Sequence, residues 1–143
     1  MKSWCACIIA YCAIASSGCG ASASSKTLIG SYQVMISSMG KSDPDVMTVA
    51  PGMNDKMLLT FSAGILTDTT GPNPDGLISS LHDSSMLTLD MQPVHIDHST
   101  GYQDGNVTGL GTLMPDGTCD VTLHFTSTDG STTQDYEIAG TKL

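Results

Sequence analysis

A chain of 143 residues, 40% hydrophobic and 13% charged, suffices for one domain with its own core and is too apolar to stay disordered. Five Lys, no Arg and fourteen acids leave a net charge of −9, spread singly through polar stretches. Without a basic stripe, nucleic acid and anionic lipid surfaces are disfavoured as partners, because both demand cations. Thr, Ser, Gly and Asp are abundant and Glu137 is the sole Glu, a bias towards strands and turns over helices.

In chain order, residues 1–18 read as a secretory signal: Lys2 gives a positive start, Cys5 to Ala15 is nearly all apolar, and small residues follow. The apolar run is too short to span a membrane, which takes roughly 20 residues. The segment Ser16-Ser17-Gly18-Cys19 resembles a bacterial lipobox, with Ser16 where the usual pattern carries Leu. That resemblance implies a lipid anchor on Cys19 and, with Gly20 rather than Asp following, the outer membrane. Cleavage after Ala23, at the small-x-small run Ala21-Ser22-Ala23, is the alternative and would release a soluble secreted protein. Residues 19–26 then form a lipidated Cys and flexible tether. Cys5, Cys7 and Cys12 leave with the signal, so Cys119 is the one remaining thiol and no internal disulfide can form.

The single domain is expected over 27–143. Tyr32, Val34 and Ile36 alternate with polar neighbours in a first strand, Asp43-Pro44-Asp45 reads as a turn, and Val46 to Val49 and Lys56 to Ser62 resume as strands. Ala63 to Gly76, rich in Pro and Gly, reads as a long exposed loop. Two more runs follow, Leu77 to Leu81 and Met86 to Ile96; Pro93 predicts an edge or a bulge in the second. A polar loop is expected over Asp97 to Gly105. The last third carries three strands divided by Pro115-Asp116-Gly117 and Asp129-Gly130, with Val121, Leu123 and Phe125 facing one way. Gly109 and Gly111, two apart, predict a crowded, tightly curved wall. The sum is an all-β antiparallel meander of seven or eight strands, forming a barrel or sandwich.

Signal and Cys, a Gly30-Ser31-Tyr32 opening strand, a Gly-rich Thr strand, a meander and a closing Ile-Ala-Gly-Thr-Lys together resemble the small lipocalin-like lipoproteins of Gram-negative bacteria. The resemblance implies a barrel that holds a small apolar ligand, and it carries over no catalytic residues.

Candidate sites are few. His95, Asp97 and His98, with Asp104 and His82 near, form the best metal cluster, but their spacing fits no zinc motif and solvated histidines are the expectation. Calcium at Asn73 and Asp75, or at Asp97 and Asp104, is equally unsupported. Catalysis would need His95 or His124 joined to a carboxylate and a nucleophile; no such elbow stands in the sequence. Cys119, beside Asp116 and Asp120, reads as structural. The eight methionines after the signal read as core filling, or as the lining of an adaptable cavity. The expectation is a monomeric, non-catalytic barrel without metal or cofactor, anchored through Cys19 and binding a small apolar ligand. The alternative is a structural or adhesive surface protein with a filled core.

Overall fold

The structure is a computed structural model that describes residues 23–63, 66–67, 76–98 and 101–143. The signal stretch, Cys19, Asn73 and Asp75 lie outside the described residues. A short helix, α1 (Ala23–Leu28), precedes nine strands: β1 (Gly30–Ser38), β2 (Lys41–Pro51), β3 (Met57–Phe61), β4 (Leu66–Thr67), β5 (Gly76–His82), β6 (Met86–His98), β7 (Gly101–Leu113), β8 (Thr118–Ser127) and β9 (Thr133–Lys142). All pairings are antiparallel, in the order β4-β6-β5-β3-β2-β1-β9-β8-β7, and a further β6–β7 ladder closes the ring. The two-residue β4 only extends the wall along β6 where β5 has ended, so eight strands make the closed meander barrel. Followed once round the wall, the registers return to β1 displaced by about ten residues, a stagger that tilts the strands by roughly 40°.

Alternation decides what meets inside. Along β8, Cys119, Val121, Leu123 and Phe125 are buried while Thr118, Asp120, Thr122 and His124 are exposed. Tyr32, Met47, Leu59, Leu77, Leu87, Ile96, Val107, Leu123 and Ile138 come from all eight wall strands and have 0% of their surface accessible. A void that could hold water would leave accessible surface on its lining, so none borders these side chains. The wall is crowded where the glycines predicted it: a Cβ on Gly109 would stand 2.6 Å from a Leu123 methyl and 2.8 Å from the Thr122 carbonyl oxygen.

One end of the barrel is covered by α1. Leu28 enters the core at 1% exposure, and the Tyr32 hydroxyl donates to its carbonyl at 2.7 Å. The Lys142 ammonium donates to the Thr27 carbonyl at 2.6 Å, and the Leu143 amide to Ser31 at 2.9 Å. This helix end also carries the β2–β3, β5–β6 and β7–β8 turns. The opposite end carries the β1–β2 and β8–β9 turns, the β6–β7 connection and the path from β3 to β5.

Three local expectations change. The β1–β2 turn falls at Met39-Gly40, both at positive φ, and β2 runs straight through Asp43-Pro44-Asp45. Proline is tolerated there because β2 meets β3 only from Met47, which leaves that stretch with a ladder on one side. The strands β6 and β7 extend into the expected 97–105 loop, leaving only residues 99–100 between them. Finally, the six residues of α1 occupy the stretch read as tether and first strand, because Leu28 finds a buried place at the barrel base.

Candidate functional site

Two groups of chemistry-bearing residues emerge, one inside the wall and one on it. Inside, Asp45 points inward from β2 and is 4% exposed. One carboxylate oxygen accepts three bonds: from the Val46 amide at 2.6 Å, the Ser62 hydroxyl at 2.5 Å and the Ala63 amide at 3.0 Å. Asp45 thereby fixes the chain as it leaves β3, much as a cap satisfies loose amides. Its other oxygen is buried and has no partner among the described residues, and the same holds for the hydroxyl of Tyr136 on β9. Burial pushes the Tyr136 phenol up to about 12. An open buried polar atom is costly, on the order of 1–3 kcal/mol, so these two atoms are the interior's one chemical irregularity among the described residues.

On the outer face, the register brings histidines to carboxylates. His95 on β6 faces Asp104 on β7, and the ring Nδ1 bonds the carboxylate directly. His124 on β8 faces Asp135 on β9 with its Nδ1 at 2.6 Å from the carboxylate. His124 is also directly opposite Thr108 of β7, at the edge of an open surface groove of about 410 Å³ that Leu110 and Thr122 help to line. Asp, His and Thr in a row have the order of a nucleophilic relay. His124 and Asp135 are both more than half exposed, however, and a relay depends on a desolvated, oriented base. Cross-strand His–carboxylate hydrogen bonds on a wet surface contribute at most about 1 kcal/mol and suffice to explain the pairing.

The sequence cluster is thus divided. His95 and Asp104 meet; His82 is elsewhere, bonded to the Thr88 hydroxyl at 2.9 Å. The side chains of Asp97 and His98 are not among those described, and no group of three metal-binding side chains occurs among the described residues. Cys119 faces the core at 4% exposure, and its thiol is pushed up to about 11. Burial is the main cause; Asp120 adds to it, and a bond with the Gly140 backbone opposes it. A thiol held protonated is a poor nucleophile.

The methionines depart from the core-filling expectation. Met47 and Met57 are buried, but Met35, Met39, Met53, Met86, Met91 and Met114 are exposed. Asp45 was legible only as a turn residue, and Tyr136 only as an inward strand position; nothing in the pattern marks a polar atom left without a partner.

The class that this geometry defines is a closed, eight-stranded antiparallel meander barrel with a packed middle. Comparison of the chain with protein-family models, with curated proteins and with solved structures found no match.

Proposed function

We propose that the protein is an exported, membrane-anchored barrel that acts without catalysis and whose interior is structural, its outer surface doing the contacting. The observation that carries this reading is that every wall strand carries an inward side chain with no accessible surface, the rest of the buried core keeping at most 6%. Such an interior offers an apolar ligand no vacancy, and inserting one would mean displacing packed side chains at a cost of roughly 1–3 kcal/mol or more. Outward residues such as Thr122, His124, Asp135 and Glu137 are exposed and polar, which suits an aqueous compartment rather than a bilayer-spanning wall. Anchorage rests on the likeness of Ser16-Ser17-Gly18-Cys19 to a lipobox.

Titration with cis-parinaric acid, a fatty acid that fluoresces on entering a dry pocket, tests this reading. A filled barrel gives no saturable signal; a one-to-one saturable rise would refute it. The second reading, a small apolar ligand carrying one hydrogen-bonding group, draws support from the open atoms of Asp45 and of Tyr136, either of which would receive that group.

A further inference from the structure

Large apolar side chains on the outer wall are not evenly shared among the described residues. Of those exposed on wall strands rather than in turns, Met86, Met91 and Leu110 belong to β6 and β7, and Met35 to β1. Leu110, 64% exposed, borders the groove of about 410 Å³, whose floor reaches Leu89 and Gly109 beside the bulge of β6. An exposed leucine alone is ordinary. What sets this one apart is the pattern around it.

Register supplies that pattern. Thr88 of β6 and Thr122 of β8 flank Leu110, so its row is the same read from either side. In the next row Thr108 has His124 of β8 on one side and, in the bulge between Leu89 and Gln92, Asp90 of β6 on the other. A two-fold axis along β7 exchanges the two sides. It sets Leu110 against Leu110, threonine against threonine, and Asp90 of each copy against His124 of the other. Nδ1 of His124 is bonded to Asp135, which leaves Nε2 for the incoming carboxylate; an imidazolium donates through both nitrogens. Neighbouring charges do not oppose this arrangement. Lys56 stands 3.9 Å from Asp90, and Asp135 and Glu137 on β9 are two of eight strands from β7, a quarter turn round the wall. Asp120 shares a row with Thr112 and Met86, so each Asp120 falls opposite Met86, two strand spacings or about 10 Å from its mate. The chain's net charge of −9 does oppose association, most strongly at low salt.

We propose that two copies of this chain pair wall to wall along β7, Leu110 on Leu110 and Asp90 against His124. The inference rests on the reading that the outer surface does the contacting and that Cys19 carries the anchor. A two-fold axis along β7 keeps both helix ends on one side of the pair, as two anchors in one membrane require. An axis across the strands turns them to opposite sides. Convex walls touch along a strip, below the roughly 1,200 Å² of a stable interface, so the pair is weak in free solution. Anchorage offsets this by confining both copies to one surface, which raises their effective concentration.

Disulfide trapping tests the pair, because a residue on the axis meets its own copy. The exported, anchored protein is prepared as Leu110→Cys and as Met35→Cys, the latter three strands away on β1, and oxidised at physiological salt. Cys119 is buried and stays out of the reaction. Leu110→Cys should form the covalent dimer about tenfold faster than Met35→Cys, or more. Adding Asp90→Lys should slow it several-fold, and adding Asp120→Lys should not. Equal trapping at both positions, a Leu110→Cys adduct with another protein in place of the dimer, or sensitivity to Asp120→Lys alone overturns the proposal. Labelling of Cys19 with a palmitate analogue separates the two readings. Without label the anchor falls, and the same variants oxidised at high concentration in free solution decide the contact. With label and no preferential dimer, the contact falls and the anchor stands.

Discussion

The side-chain amide of Gln92 takes both backbone bonds of Ile78. Its carbonyl oxygen accepts the Ile78 amide and its nitrogen donates to the Ile78 carbonyl, each at 2.8 Å. Gln92 follows the register shift in β6 after Leu89, where the strand bends and leaves β5, to which it is paired only at Ser80–His82. A carboxamide presents one acceptor and one donor in a plane, as a peptide does, so Gln92 continues the ladder where the backbone cannot.

Replacing Gln92 by Ala should therefore cost about 1–3 kcal/mol, because two half-buried backbone groups lose their partners at once. Urea melting measures the loss, and hydrogen exchange locates it. The Ile78 amide should exchange faster in Gln92→Ala, while the amides of β1, across the barrel from the bulge, keep their protection relative to global unfolding.

The strands were readable because one buried face imposes period two, as in Val121, Leu123 and Phe125. Turn chemistry was readable where residue type and conformation agree. Gly117 at φ 92° and Gly130 at φ 69° sit in the expected turns. It misled at Asp43-Pro44-Asp45, because turn formers also suit a strand paired on one side, and at Met39, whose positive φ no propensity suggests. The Gln92 relationship was out of reach for another reason. A side chain that stands in for backbone follows no periodicity. His95 and Asp104 could be singled out as candidate residues, but only the β6–β7 register makes them partners.

Acid should loosen the β8–β9 turn first. Asp129 accepts the Ser127 hydroxyl, the Ser131 amide and the Ser131 hydroxyl, and these bonds hold its carboxyl down at about 2. A carboxyl lowered on folding lends stability above its unfolded value near 4, lost as pH falls towards 2. Melting temperature should decline across that window, and Asp129→Asn, which lacks the ionised carboxyl, should melt lower at pH 7 and show a flatter decline.

At the alkaline side Cys119 behaves in the reverse sense. Its thiol, raised to about 11, and the Tyr136 phenol, raised to about 12, stay protonated in the folded barrel while the unfolded chain ionises from about pH 9 upward. Stability is thus complete below pH 9 and falls as pH rises through 11 and 12. At pH 8 the thiol should react with a disulfide reagent only at the rate of unfolding; reaction of the folded protein within the mixing time would show the site to be open.

Overpacking distinguishes a full barrel from a hollow one. Val107 has 0% of its surface accessible and faces inward from β7. Val107→Phe adds volume at the barrel's middle and should destabilise by about 1–3 kcal/mol in urea. In a hollow barrel the added ring would gain burial and raise stability.

The central claim, that side chains leave the barrel's middle no room for a guest, is tested most directly by native mass spectrometry of the exported Cys19→Ala protein, freed of any anchor. The account predicts the mass of the polypeptide alone. A bound lipid-sized molecule retained one per chain, and released only on unfolding, would contradict it.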